Sequence, residues 1–91
     1  MAYRTPDPAL PKLGARLALT RRALDLTGFQ MARVLGTDTA TWGTYEAGLK
    51  RIPPDQALKL SAYGISLEWI YDGRMKNLHP HIRDKISQLA P

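Results

Sequence analysis

Apolar residues recur along this chain at helical rather than strand spacing. Leu13, Leu17, Thr20 and Leu24 fall on one stripe at intervals of three and four, which predicts a helix over 12–26. Thr27 is a good N-cap and Gly28 follows it, so a second helix is expected over 28–35, with Met31, Ala32 and Leu35 facing inward. Gly36 ends it in the left-handed conformation that glycine adopts at least cost. Asp38 can cap a third helix, about 38–48. There Trp42, Tyr45 and Leu49 share the inner face, and Thr39, Ala40, Gly43 and Thr44 share the outer one. Gly48 is placed to terminate it, and the Ile52-Pro53-Pro54-Asp55 stretch restarts the chain. A fourth helix then runs to about Tyr63 with Ala57, Leu58 and Leu60 as buried candidates, closed by Gly64. Ser66 caps a short fifth helix containing Leu67, Trp69 and Ile70, which ends at Asp72-Gly73.

Beyond it, Leu78, Ile82, Ile86 and Leu89 recur at spacings of four, four and three, and Pro80 suits a first helical position. A sixth, amphipathic helix follows. Its stripe has two readings, packing back on its own domain or forming the two-fold interface of a homodimer; the second is the expectation, because linking two weak readers multiplies affinity. The first eleven residues hold Pro6, Pro8 and Pro11 and cannot form a continuous helix, so they are expected to be a flexible arm. Arg4 in that arm either contacts DNA or belongs to a disordered terminus. The expected organisation is thus an all-α chain: arm 1–11, a five-helix domain 12–73, and a helical extension 74–91.

Residues 27–48 carry the functional signal, because two short amphipathic helices hinged at Gly36 are how a small domain offers one rigid rod to the major groove of DNA. At Met31, Ala32, Leu35, Gly36, Tyr45, Glu46 and Gly48 the chain resembles the phage Cro and repressor (XRE-like) family of helix-turn-helix transcriptional regulators. That family's usual pattern is L-A-x-x-L-G, then, nine residues on, an aromatic or apolar residue followed by E-x-G. Met31 stands where leucine is usual. The likeness extends back over Leu13-Gly14-Ala15-Arg16-Leu17 and Arg21, and forward over Ala57, Leu58, Gly64, Ile65 and residues 66–73.

The resemblance implies a repressor-like, five-helix DNA-binding domain that dimerises and regulates transcription, more as repressor than activator. It places Thr39, Ala40, Gly43 and Thr44 at base-reading positions and Thr41, Lys50 and Arg51 at the DNA backbone. It also implies that Arg21 and Glu46 pair across helices one and three. Two departures stand out. Many members begin helix two with a glutamine that grips a phosphate, whereas here Gly28 leaves only backbone N–H groups for the DNA backbone. The reading face also lacks the bidentate side chains that discriminate bases most strongly, so threonine hydroxyls, methyl contacts to thymine and DNA shape must do more.

Charge and composition narrow the alternatives. The formal charge is +5 over 91 residues, and the basic groups flank the third helix: Lys50 and Arg51 follow it, while 37–48 hold only Asp38 and Glu46. A polyanionic partner, double-stranded DNA, is expected. Arg22 and Arg33 are as well explained by a solvated face. No cysteine is present, which excludes disulfides, thiolate metal sites and a cysteine nucleophile. His79 and His81 flank a proline without an acidic cluster, so no metal is expected. Gly43 to Gly48 has the spacing of a phosphate loop but is followed by Leu49 rather than lysine and reads as helix. Trp42, Tyr45 and Trp69 fall on inner faces, which makes them core rather than a stacking platform. No catalytic constellation is visible, so no enzyme activity, cofactor or small-molecule effector is expected. No apolar run could span a bilayer, and a cytoplasmic, nucleoid-associated protein is the expectation. The competing function is a protein-interaction module, an antitoxin-like or phage-encoded adaptor, a reading that the acidic, side-chain-poor third helix supports.

Overall fold

A computed structural model describes residues 8–90 of the chain; the reading of residues 1–7, Arg4 included, lies outside the described residues. Among the described residues the elements are all helical: α1 (Ala9–Ala23), α2 (Gly28–Leu35), α3 (Thr39–Glu46), α4 (Pro54–Leu58) running into a 3-10 turn (Lys59–Tyr63), α5 (Leu67–Asp72) and α6 (Pro80–Leu89). None is long and apolar enough to cross a membrane.

The first helix begins at Ala9, three residues before its expected start at 12, so the boundary drawn at residue 11 moves into the helix. Pro11 is tolerated there because the first-turn N–H groups of a helix have no intrahelical acceptor to lose. The helix also stops earlier than 26. Leu24 is its C-cap, Asp25 takes φ 56°, and the N–H of Leu26 reaches back to the Arg21 carbonyl at 3.1 Å. That is the left-handed closure usually left to glycine, at a residue type that tolerates it better than most.

The second helix has the predicted bounds. Thr27 and Gln30 exchange side-chain-to-backbone hydrogen bonds, a capping box. Gly36 at φ 69° closes its other end, with the N–H of Thr37 donating to the Ala32 carbonyl at 2.9 Å. From the 3-10 turn, Lys59 Nζ donates to the Leu35 carbonyl at 2.7 Å. The cation thereby meets the negative end of α2 and ties the helix-turn-helix to the following segment.

Two expected core residues are outside. Leu49 is 76% exposed and Leu58 52% exposed. Leu49 does not continue the Trp42 and Tyr45 face because α3 has ended before it and Gly48, at φ 71°, has turned the chain. Leu58 is displaced because the fourth helix tightens to 3-10 geometry after it, which changes the angle between successive side chains.

The core joins all six helices. Leu13 and Leu17 of α1, Met31 and Leu35 of α2, Trp42 of α3, Ala57 of α4, Ile70 of α5 and Ile86 of α6 are buried together, with Leu60 of the 3-10 turn. Between α1 and α5 the buried Thr20 hydroxyl is satisfied in both senses. It accepts from Trp69 Nε1 at 2.8 Å and donates to the Arg16 carbonyl at 2.8 Å.

The sixth helix packs on α1. Pro80 is its first residue, and His79 caps it through Nδ1, which accepts from the His81 N–H at 3.1 Å. Leu78, Ile82 and Ile86 are 4%, 7% and 1% exposed. The stripe expected to be a dimer interface is therefore filled from within the chain, leaving only Leu89 of its four residues exposed. Of the two readings, packing back on its own domain is the one the helix adopts. Burying three aliphatic side chains in the shared core removes them from water without a second subunit.

Candidate nucleic-acid interface

The third helix is held from three directions, and each restraint comes from a different part of the sequence. Its inner face buries Trp42 and Tyr45, whose rings meet edge to face at a centroid distance of 6.3 Å. Its C-terminal turn rests on α1 at Gly14, where an added Cβ would stand 2.5 Å from the Glu46 carbonyl oxygen and 2.8 Å from the Gly48 nitrogen. Backbone therefore lies against backbone. Its N-terminus is capped by Asp38, which accepts from the Thr41 N–H at 2.7 Å.

Glu46 adds a further set of contacts. Arg21 Nε donates to its carboxylate at 2.6 Å, forming the ion pair expected between helices one and three. Arg21 Nη1 also donates to the Leu26 carbonyl at 3.0 Å, and Trp42 Nε1 donates to the same carboxylate. One acid thus joins the third helix, the first helix and the turn before α2. Pairing of Trp42 with Glu46 went unpredicted, although the two stand four apart on one helix. The aromatic ring is core, as its spacing implied, while its N–H is not.

These restraints leave the opposite side of α3 uncovered. Thr39, Ala40 and Gly43 are exposed and Thr44 is half-buried. The Thr44 hydroxyl donates to the Thr41 carbonyl at 2.7 Å, so it faces a partner as an acceptor. Gly43 costs the helix about 0.5–1 kcal/mol relative to alanine, and a Cβ there would meet nothing within 4 Å. Thr41 is half-buried, and its N–H supports Asp38. Lys50 and Arg51 are exposed in the segment after the helix.

An open groove of about 580 Å³ separates the start of α2 from α3, lined by Thr27, Gly28, Thr39 and Gly43 together with Trp42 and the Arg21–Glu46 pair. A Cβ at Gly28 would sit 3.7 Å from the Trp42 ring, an ordinary contact. Helix geometry leaves the N–H groups of Gly28 and Phe29 without intrahelical acceptors, and they open at the positive end of the α2 dipole. On the outer side of α2, Arg33 stands 5.8 Å over the exposed Phe29 ring.

The Thr41 N–H, helped by its hydroxyl, holds the Asp38 carboxyl below the 3.8 of an unperturbed aspartate. A depressed folded value means that the cap contributes above the unfolded pKa and is lost as pH falls through the lower folded one. The Thr41 amide shift in a proton–nitrogen NMR titration is thus expected to stay constant from about pH 8 to 5 and to move only below about pH 4. A midpoint near neutrality would contradict the cap.

Residues 12–68 match the family model of the helix-turn-helix domain, which spans α1 to the start of α5 and includes every restraint on α3 described above. No characterised protein and no solved structure matches the chain.

Proposed function

This chain belongs to the helix-turn-helix domain family, and we propose that it is a sequence-specific, double-stranded DNA-binding transcriptional regulator, acting as a repressor. The observation that carries this reading is the division of α3. Trp42, Tyr45 and Glu46 anchor it inward, while Thr39, Ala40, Gly43 and the acceptor side of Thr44 are presented outward. A rod held so rigidly, with one face uncovered, fits major-groove docking.

In this reading Lys50, Arg51 and the N–H groups at the start of α2 take the phosphates, and the four outward residues of α3 meet base edges. Thr41, at the capped first turn of α3, is a further contact to the DNA backbone in this reading. Two copies would bind a near-palindrome with half-sites one helical turn, about 34 Å, apart. Pairing would need a surface other than Leu78, Ile82 and Ile86, which the core has taken.

A salt titration with random-sequence duplex tests the reading. Affinity is expected to fall steeply with salt, and Lys50→Ala with Arg51→Ala to weaken binding to all sequences alike. Every phosphate that the protein ceases to neutralise lowers the log–log slope by about 0.9, so the double variant should be shallower by about 1.8. Weak, salt-insensitive binding would instead favour a protein-interaction module on the same fold.

A further inference from the structure

Two glycines lie in helix interiors, and only one has a reason inside the molecule. Gly14 is required by the fold, because a Cβ there would collide with the backbone of α3. Gly43 stands in the middle of α3 with open space around it, so an alanine would fit and would strengthen the helix. Nothing in the chain's own packing calls for glycine at this position.

We infer that Gly43 is a specificity-determining residue whose bare Cα surface seats the 5-methyl group of a thymine in the major groove. This deepens the DNA-binding reading and rests on it. The chemistry follows from what the position can offer. Its carbonyl is already the acceptor for the Ala47 N–H at 3.0 Å, and it has no side chain. Only van der Waals contact is left. The neighbouring outward group at Ala40 is a methyl, and the Thr44 hydroxyl hydrogen is turned inward to the Thr41 carbonyl. Among the groups on the major-groove edge of the base pairs, thymine carries the one methyl, so thymine is the complement of such a surface. A methyl added to the protein at Gly43 would extend about 1.5 Å from Cα into the place where the methyl of the base should lie.

That competition for one volume makes a test by exchange possible. A preferred site is first selected from a random duplex pool with the full chain, and each thymine in it is then replaced singly by deoxyuridine, which removes only the methyl. For the wild type, one such replacement per half-site is expected to weaken binding about fourfold. Gly43→Ala is expected to weaken binding to the thymine site about tenfold or more, and to lose nothing further, or to recover, when that same thymine becomes deoxyuridine. Its melting temperature should rise on the order of 4–8 °C, which separates the loss of binding from any loss of fold. Equal binding of the thymine site by variant and wild type, or the same deoxyuridine effect in both, would overturn the assignment while leaving DNA binding intact. Failure of the wild type to select any duplex would remove the DNA reading itself, whatever Gly43 does.

Discussion

Truncation of the chain after Asn77 is expected to unfold the domain rather than to convert a dimer into a monomer. The cut removes Leu78, Ile82 and Ile86, all nearly inaccessible to solvent, and bares the core residues they cover. Burial of one such side chain is worth about 1.5–3 kcal/mol, so the three together contribute roughly 5–9 kcal/mol. The whole stability of a domain of this size is about 5–14 kcal/mol at 0.05–0.15 kcal/mol per residue. Most of it is lost. Urea denaturation followed by circular dichroism checks this, with Leu89→Ala, 40% exposed at the end of the same helix, as a nearly neutral control. A truncated chain that still unfolds cooperatively at close to the original midpoint would show that α6 is dispensable to the core. The family match stops at residue 68, yet the core continues past it into α6.

Gly14→Ala is expected to destabilise the molecule severely through a single added methyl. The atoms in its way are the carbonyl oxygens of Tyr45 and Glu46 and the nitrogen of Gly48, at 2.5–2.9 Å from the new carbon. None of them can rotate aside as a side chain would. Either α1 or the end of α3 must shift, and overpacking of this kind costs about 1–3 kcal/mol, more where backbone is involved. At 4–8 °C for each kcal/mol in a domain this small, a fall of about 12 °C or more in melting temperature is expected. On the proposed DNA-binding reading, the folded fraction should also bind duplex less well than a comparably destabilised core variant such as Ile86→Ala, because the shift is transmitted to α3. The same substitution at Gly43 is expected to have the opposite sign on stability, so the pair of variants is its own control. Equal melting temperatures for the two would mean that the close approach of α1 to α3 is not what holds the third helix.

What the chain's residues disclosed in advance was mostly local. Thr27, Asp38 and Ser66 cap helices as their types and positions imply, and Gly36, Gly64 and Gly73 end them at positive φ. Both helices of the motif have nearly their expected bounds for this reason. Long-range facts were less visible. Periodicity shows that α6 has an apolar face but says nothing about what covers it, so a face turned toward α1 and a face turned toward a partner look alike in sequence. Leu49 and Leu58 were misplaced because each lies where its helix has stopped or changed pitch, and a repeat extended beyond that point assigns the wrong side. The ion pair of Arg21 with Glu46 came from resemblance, not from spacing. Its third member, Trp42 Nε1, was hidden because a tryptophan on an apolar stripe is read as packing alone. Gly14 carried no local signal, since a glycine inside a helix reveals a close neighbour only once the neighbour's position is known.

Helix α3 is fastened by Trp42, Tyr45, Glu46 and the Asp38 cap, none of which belongs to its outward set. Thr39, Ala40, Gly43 and Thr44 can accordingly be exchanged as a cassette, with the scaffold left to fold as before. On the proposed DNA-binding reading, a library randomised at these four positions should yield variants re-addressed to new duplex sites at a high rate of folded survivors.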